Sequence, residues 1–423
     1  MTAPNVLLIV SDDQRFDFLE YMPNTRNLIA FQGRNFVHAR CNVSVCEPTR
    51  VSLITGQYSI RHGAGEVPWE TVPTHDHSNT IGAWMQAAGY RTGLIGKYLN
   101  GTPALIPKPG GWDTWLQLDE NTGYGGFGYQ VCDGVTMSAP DQFQIDYLHD
   151  QALAFTQGSE PWFLLWTPSS PHIPFDPDPR DLFAWSDVRW PLVIEDDVSD
   201  KPSWIASQPP LPDSSISSFR AAARGQLREG TGLDRALGDI IRSLAPGVLD
   251  NTVVVYSSDN GLTYGEHRLP FVGVFKNTAY DAGMRVPLVI RGPGFPVGVS
   301  AEPVTIAPDI TATILAVAGA SPGLPADGID LRDMIADPSA YAARQILHHR
   351  GPALNFGTAP RAFGITTLTR KLFRSEVPLD SPDRYEAYDL DIDADELNNW
   401  ANDQSRQAER DDLEAALDAL LDV

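Results

Sequence analysis

The stretch NVLLIVSDD at residues 5–13 decides the fold class. Its middle is a continuous apolar, β-branched run, which is typical of a strand buried on both faces of a parallel sheet. The same pattern recurs along the chain, with segments of helical periodicity between the strands. The sequence therefore predicts an α/β fold with a doubly wound, mostly parallel sheet flanked by helices. The predicted strands are residues 6–10, 92–96, 162–166, 253–256 and 286–290, and the predicted helices are 81–88, 145–155 and 219–244.

The pattern changes near Asp337, where short alternating runs at 364–368 and 371–374 precede an acidic helical stretch that starts at about Gln404. A chain of 423 residues exceeds the size at which a single core stops growing. We therefore expect two domains, a large α/β domain at residues 1–336 and a small α+β domain at residues 337–423. A proline-rich excursion at residues 168–212 is the kind of irregular insertion that shapes or covers a site.

Composition argues against several classes of protein. Hydrophobic residues make up 42% of the chain and charged residues 20%, which is ordinary for a globular protein. The net charge of −23 argues against binding to nucleic acid or to an anionic membrane, because either partner needs a basic face. The first residues lack a basic segment and a cleavage site, and three cysteines fit a reducing compartment, so we expect a cytoplasmic protein. Nothing in the sequence indicates an oligomeric state.

Oxygen-bearing side chains follow two of the predicted strands. Asp12 and Asp13 come after the first strand, and Asp259 and Asn260 follow the strand at 253–256. Ligands of an open parallel sheet bind beyond the carboxyl ends of its strands, so these groups are expected to meet. Either pair alone is more often a helix N-cap, but two equivalent pairs favour a site for Ca²⁺ or Mg²⁺.

Basic side chains follow two other strands at the same edge. Lys97 comes directly after the strand at 92–96, and His172 follows the strand at 162–166, between prolines 171 and 174. A solvated lysine and a structural turn are the simple alternatives. Beside a cation site, however, the two groups indicate an anionic substrate and a positioned acid or base.

The strongest local signal is the segment CEPTRVSLITG at residues 46–56. Pro48 suits the first turn of a helix that Gly56 would end, so Cys46 should lie at a helix N-terminus, where backbone N–H groups favour an anion. Arg50 would then lie one turn further along. The alternative is a buried free cysteine beside an unrelated arginine.

These segments resemble the motifs of the sulfatase family, formylglycine-dependent members of the alkaline phosphatase-like superfamily. Cys46-x-Pro48-x-Arg50 is similar to the motif whose cysteine is oxidised to formylglycine. The other matching segments occur in the family's order, and they cover nearly the whole chain. They are residues 5–13, 96–97, 171–175, 250–252, 258–261, 265–267, 276–280, 285–288, 388–390 and 396–399.

The resemblance implies a role for each matching side chain. A divalent cation, typically Ca²⁺ with Mg²⁺ as the alternative, would be bound by Asp12, Asp13, Asp259, Asn260 and the modified Cys46. Arg50 would hold the formylglycine hydrate, Lys97 and Lys276 would bind sulfate oxygens, and His172 would protonate the leaving oxygen. One hydroxyl of the hydrate would attack sulfur, and the other would later expel sulfate. A formylglycine-generating enzyme would be needed for maturation.

The chain departs from the family pattern at Leu99, where many members have a histidine. The missing histidine would be a partner of the nucleophile, and Asn100 or His267 could take its place. The segment GKYLN at residues 96–100, followed by PGGWDTW at 109–115, resembles the N-acetylglucosamine-6-sulfatase and arylsulfatase branch. A carbohydrate or aryl sulfate is therefore the expected substrate.

Two other functions are compatible with the same residues. Related formylglycine enzymes hydrolyse phosphonates or phosphate mono- and diesters with the same metal and nucleophile. In the third hypothesis the protein is not an enzyme, Cys46 stays unmodified, and the site holds an anion without turnover.

Overall fold

A computed structural model describes residues 3–64, 76–100, 107–159, 161–269, 276–351 and 359–422 of the chain. The helices within them are α1 (Pro23–Leu28), α2 (Cys46–Thr55), α3 (Ser59–His62), α4 (Ile81–Ala87), α5 (Gln144–Thr156), α6 (Ser203–Ala206), α7 (Asp213–Ser243), α8 (Pro246–Asp250), α9 (Asp281–Met284), α10 (Ile306–Ala318), α11 (Leu331–Ala336) and α12 (Gln407–Leu421). Short 3-10 helices lie at Phe16–Tyr21, Ala30–Gln32, Pro179–Asp181, Glu266–Arg268, Pro338–Tyr341 and Gln404–Arg406.

The strands in the same residues are β1 (Asn5–Ser11), β2 (Arg34–Phe36), β3 (Ala39–Arg40), β4 (Arg91–Gly96), β5 (Thr114–Leu118), β6 (Val131–Cys132), β7 (Met137–Ser138), β8 (Trp162–Thr167), β9 (Thr252–Ser258), β10 (Leu288–Arg291), β11 (Gly298–Ser300), β12 (Val304–Thr305), β13 (Ile346–Arg350), β14 (Ala362–Thr366), β15 (Arg370–Ser375) and β16 (Tyr385–Asp389).

The large sheet has the strand order β11-β2-β10-β9-β1-β8-β4-β5-β6-β7. Its centre is parallel, because β1 pairs in parallel with both β8 and β9, and β4 pairs in parallel with β8 and β5. Antiparallel pairs occur towards its edges, at β9–β10, β2–β10, β5–β6 and β6–β7. The predicted doubly wound, mostly parallel sheet is therefore confirmed. The predicted strand at 286–290 lies at 288–291 and is antiparallel to its neighbours.

The apolar run of β1 is buried on both sides, as its composition predicts. Val6, Leu8 and Val10 belong to one core cluster, to which α2, α4 and α10 contribute. Leu7 and Ile9 belong to a second cluster on the opposite face, which includes residues of α5 and α7. Alternation along the strand thus places helices on both faces of the sheet.

A small C-terminal unit packs a helix on a second sheet. The strands β13 to β16 form an antiparallel meander, and α12 covers it through Leu413 and Leu417. This is the predicted small α+β unit; the boundary at residues 336 and 337 stays a prediction. In the part of the chain that the structure describes, no helix is both long and apolar enough for a transmembrane span.

A buried cluster of charges joins this unit to β3 and α9 of the larger part of the chain. Lys371 of β15 is fully buried, and its Nζ lies 2.6 Å from Glu396 Oε1 and 2.7 Å from Asp281 Oδ1. Asp281 also pairs with Arg40, at 2.6 Å between Nη2 and Oδ2. Buried charges are tolerated only when they are paired, so these contacts couple the two units tightly.

We expect Lys371→Met to destabilise the protein by ~3–5 kcal/mol, because removing one partner leaves buried carboxylates undercompensated. Urea unfolding of both proteins measures this difference. Arg370→Ala is the matched control on the same strand, where the side chain is 30% exposed and pairs with Asp389 and Glu409. That change should cost about 1 kcal/mol or less. Equal losses in the two variants would contradict a special contribution from the buried cluster.

Candidate active site

The carboxyl ends of β1 and β9 bring the two predicted acidic pairs together. Ser11 and Ser258, the last residues of these parallel strands, lie opposite each other. The backbone N–H of Asp13 donates to Asp259 Oδ1 at 3.0 Å, and Asn260 Nδ2 donates to Asp13 Oδ1 at 2.7 Å. Asp12, Asp13, Asp259 and Asn260, which we call the acidic cluster, are all buried.

A left-handed backbone conformation at Asp13, with φ at 64°, explains why two consecutive carboxylates face one point. Successive side chains of an extended strand point to opposite faces, and a residue in this conformation breaks that alternation. Aspartate is among the few residues that adopt it readily. As a result both Asp12 and Asp13 reach the same sulfur, that of Cys46.

Cys46 is the first residue of α2, as predicted, and Gly56 ends the helix with φ at 71°. Its Sγ lies 3.3 Å from Asp12 Oδ1 and 3.5 Å from Asp13 Oδ1. Burial, with the charges of Asp12 and Asp13, raises the pKa of the Cys46 thiol well above its usual value. The thiolate is the nucleophilic form of cysteine, so the unmodified side chain is poorly suited to attack.

Two lysines offset the charge of the acidic cluster. Lys97, which follows β4, places its Nζ 2.6 Å from Asp12 Oδ2. Lys276 Nζ lies 2.9 Å from both oxygens of Asp13 and 3.0 Å from Cys46 Sγ. Burial opposes the charged form of both, but the nearby carboxylates outweigh it and raise the pKa of each lysine above its usual value. Both therefore stay cationic at neutral pH.

His172 completes this set on the side of Asp13. Its Nε2 lies 3.3 Å from Asp13 Oδ2 and 3.4 Å from Lys276 Nζ. The other ring nitrogen, Nδ1, lies 2.5 Å from the carbonyl oxygen of Ile173, which holds the ring in place. Burial lowers the pKa of His172, although Asp13 and Asp12 oppose this effect.

Arg50 points back from α2 towards the acidic cluster, one turn after Cys46. Its Nε donates to Asp259 Oδ2 at 2.8 Å, and its Nη1 donates to the carbonyl oxygen of Lys97 at 3.0 Å. The Nη2 atom lies 3.9 Å from Asp12 Oδ2 and has no hydrogen-bond partner among the described residues. One donor of the guanidinium group is therefore available to an anion.

His267 does not join this group. Its Nδ1 lies 2.7 Å from Glu195 Oε2, and its ring stacks on Tyr280 with the centroids 3.7 Å apart. Positive φ angles at Gly265 and His267 direct the backbone into this arrangement. The ring thus faces other side chains than the acidic cluster, and this geometry gives no support to the predicted catalytic role of His267.

The structure adds residues that the sequence analysis did not single out. The ring of Tyr124 lies against the His172 ring, with the centroids 4.3 Å apart, and 5.1 Å from Lys97 Nζ. The Tyr124 hydroxyl donates to Glu120 Oε1 at 3.1 Å. Both residues lie in the irregular segment after β5, where no periodicity or spacing marks them. Only the contacts of Tyr124 with His172 and Lys97 identify it as part of the site.

The residues present fit a divalent cation. Ligand atoms from Asp12, Asp13, Cys46 and His172 lie within 4.8 Å of one another. Asn260 Oδ1 is buried and has no hydrogen-bond partner in the described part of the chain, so a hard oxygen ligand is left over. Cys46 Sγ stands where an oxygen of the oxidised residue would be. Asp259 Oδ2 accepts from Arg50, and its Oδ1 accepts from the N–H groups of Asp13 and Asn260.

The fold is that of a doubly wound α/β protein. At the carboxyl edge of its sheet, buried carboxylates that could hold a cation lie next to basic side chains that could bind an anion. The chain belongs to the sulfatase family. The family model described as Sulfatase matches residues 4–320, and a second model, described as N-sulphoglucosamine sulphohydrolase, C-terminal, matches residues 265–422. The family resemblance predicted from the sequence motifs is thereby confirmed.

One relative shares moderate identity with the chain. The chain is 28% identical to N-acetylglucosamine-6-sulfatase of Capra hircus over 344 residues, which covers 75% of this chain and 60% of the relative. It thus spans about 60% of the length of that protein.

Solved structures share the fold over the whole chain. A structure in complex with its substrate D-glucosamine-2-N,6-O-disulfate superposes with a TM-score of 0.84 at 21% identity, covering 99% of this chain and 97% of the other. A phosphonate monoester hydrolase from Silicibacter pomeroyi superposes with a TM-score of 0.76 at 22% identity, covering 98% and 94%. At these identities the likeness shows the fold.

We expect Asp12→Ala to lower the content of bound divalent cation, because it removes one of the few charged ligands of the site. Elemental analysis after dialysis measures the content, and a weaker rise in melting temperature on adding Ca²⁺ reports the same loss without activity. Asp17→Ala is the control, since this carboxylate pairs with Arg15 instead. A full complement of cation in the Asp12 variant would remove Asp12 from the ligand set.

Proposed function

We propose that the protein is a sulfatase, which hydrolyses an organic sulfate ester with a nucleophile formed from Cys46 and with a bound divalent cation. The observation that carries this proposal is the position of Cys46 Sγ, which lies within 3.5 Å of two carboxylates and 3.0 Å from Lys276 at a helix N-terminus. Residue 46 therefore lies beside both the carboxylates that would hold the cation and a lysine that would bind sulfate. Its thiol is itself a weak nucleophile there, so the proposal assigns the attack to the modified residue, formylglycine.

In this proposal the acidic cluster holds the cation together with residue 46. Asp12, Asp13, Asp259 and Asn260 would supply hard oxygen ligands, which suit Ca²⁺ and also Mg²⁺. The cation supplies positive charge that orients the nucleophile and stabilises developing negative charge. As a formylglycine hydrate, residue 46 supplies a hydroxyl that attacks sulfur and a second hydroxyl whose later deprotonation expels sulfate and restores the aldehyde.

The basic groups would then have two separate roles: some would bind the transferred sulfate, and one would protonate the leaving group. Lys97, Lys276 and Arg50 are cationic and lie around Cys46, where they can neutralise the sulfate oxygens and the nucleophile. In its imidazolium form, with Nδ1–H donated to the Ile173 carbonyl, His172 would give the Nε2 proton to the bridging oxygen as the sulfur–oxygen bond breaks, so that the organic product leaves as an alcohol. The carbonyl oxygen of Ile173, at Nδ1, keeps the ring oriented for this transfer.

A carbohydrate sulfate is the proposed substrate class. The names of the N-acetylglucosamine-6-sulfatase relative and of the sulfated glucosamine complex support it. Maturation by a formylglycine-generating enzyme, a cytoplasmic location and the domain boundary after residue 336 stay predictions.

A phosphonate or phosphate ester hydrolase is the second candidate, because a phosphonate monoester hydrolase shares the fold. The ratio of kcat/KM for an aryl sulfate to that for an aryl phosphodiester separates the two, and a ratio below one would favour the second. A non-catalytic anion-binding protein would show no turnover of either substrate and an unmodified Cys46.

We expect mass spectrometry of protein made with a maturation enzyme to show CHO in place of CH₂SH at Cys46. Cys46→Ala should lose sulfatase activity, because alanine cannot form the aldehyde. Cys132→Ala is the matched control, since Cys132 is a buried cysteine on β6, outside the site. Full activity of the Cys46 variant would overturn the proposed nucleophile.

The leaving group should reveal the role of His172. His172→Ala should slow an alkyl sulfate by roughly 10²–10⁴-fold, because an alkoxide needs a proton to leave. A nitrophenyl sulfate, whose product departs as an anion, should be slowed far less. Lys276→Ala is the comparison variant and should slow both substrates by similar factors, because it contacts the transferred group. If kcat/KM in the His172 variant falls equally for both substrates, His172 is not the general acid.

A further inference from the structure

A cluster of polar side chains, Asn100, Glu120 and Tyr124, lies beside the proposed reaction centre. Asn100 Nδ2 donates to Glu120 Oε1 at 3.0 Å and lies 3.2 Å from the Tyr124 hydroxyl oxygen. The Tyr124 hydroxyl donates to the same oxygen of Glu120 at 3.1 Å. All three residues are half-buried, so the cluster borders solvent.

The cluster adjoins the side of the centre where the leaving group must lie. The Tyr124 ring lies against His172, the proposed proton donor to the bridging oxygen. It also lies 5.1 Å from Lys97 Nζ, and its hydroxyl forms hydrogen bonds with Asn100 and Glu120. With His172 as the proton donor to the bridging oxygen, the alcohol attached to that oxygen would lie next to Tyr124 and hence near these two residues.

The unused polar atoms of this region are hydrogen-bond acceptors. Asn100 Oδ1 is buried and has no hydrogen-bond partner in the described ranges. In Glu120 both donors reach Oε1. Buried acceptors are seldom left unpaired in native proteins, so a ligand with donor groups would supply the missing hydrogen bonds.

We propose that Asn100 and Glu120 bind hydroxyl groups of the leaving alcohol, and that they select a carbohydrate over a leaving group without donors. The inference rests on the proposed sulfatase function and names the part of the substrate that this side of the site recognises. Sugar hydroxyls donate hydrogen bonds, and carboxylate oxygens accept them strongly. A site built to accept donors discriminates against an analogue that lacks them, because its buried polar atoms are then unpaired.

The experiment compares three substrates: glucose 6-sulfate, hexyl sulfate and 4-nitrophenyl sulfate. The first two have primary alcohols as leaving groups, but only the sugar carries further hydroxyls. The wild-type protein should prefer glucose 6-sulfate to hexyl sulfate in kcat/KM. Glu120→Ala should lower this preference by about 10- to 100-fold, as expected for lost hydrogen bonds to a charged group. Glu120→Gln, which keeps the side-chain volume and an acceptor, should lower it by less.

Two further variants exclude a structural explanation. Asp119→Ala removes the neighbouring carboxylate, which accepts from Thr122, and should keep the wild-type preference. Tyr124→Phe keeps the ring against His172 but removes one hydrogen bond to Glu120, and should also keep it. If Tyr124→Phe loses the preference as fully as Glu120→Ala does, Glu120 acts by positioning Tyr124 and the inference is wrong. Melting temperatures show whether each variant is folded.

The outcomes separate this inference from the proposed function. A wild-type enzyme that hydrolyses 4-nitrophenyl sulfate but does not prefer glucose 6-sulfate to hexyl sulfate would overturn the inference and leave the sulfatase proposal intact. An unchanged preference in folded Glu120→Ala would do the same. If fully converted protein hydrolyses none of the three sulfates, the proposed function itself fails.

Discussion

The burial of three carboxylates at one edge of the sheet is the constraint on which the rest of the site depends. Asp12, Asp13 and Asp259 are each fully buried or nearly so, and like charges at such distances repel strongly where water is excluded. The repulsion is visible at Asp259, where burial and the charge of Asp12 raise the pKa to about 6. Such an arrangement persists only when cations are supplied, and here Lys97, Lys276 and Arg50 supply them.

The balance of charge also explains how the centre could bind a cation and an anionic substrate. Each lysine pairs directly with a carboxylate, at 2.6 Å for Lys97 and 2.9 Å for Lys276. A divalent cation held by the same carboxylates would take over their neutralisation. The lysines would then be free to pair with an incoming sulfate. Its negative charge would replace that of the carboxylates with which they pair now. In this view the cation and the anionic substrate fit the site as a pair, because each alone would unbalance its charge.

The parts that could be predicted from sequence are those governed by local rules. The apolar run before Asp12 determines a strand buried on both faces, and parallel pairing then brings Asp12 and Asp259 to one edge. Gly56 ends the helix that begins at Cys46, as its conformational freedom allows. Tyr124 and Glu120 could not be predicted, because their positions depend on an irregular segment after β5 that only tertiary contacts place.

His267 is the opposite case: the motif predicts a position near the chemistry, whereas the structure directs its ring to Glu195 and Tyr280, and its catalytic role stays a prediction. Its partner Glu195 lies 72 residues earlier, in the proline-rich excursion, and no local pattern relates the two.

The polar groups of the site divide by charge, and this division bears on how specificity can change. Lys97, Lys276 and Arg50 each pair with a buried carboxylate, so a substitution among them disturbs the balance of the whole cluster. The proposed acceptors Asn100 and Glu120 are half-buried and form hydrogen bonds with Tyr124. Substitutions at positions 100 and 120 therefore need not disturb the buried charges. A fold of this kind can keep its reaction centre and change the alcohol that it recognises, because the two requirements rest on different residues.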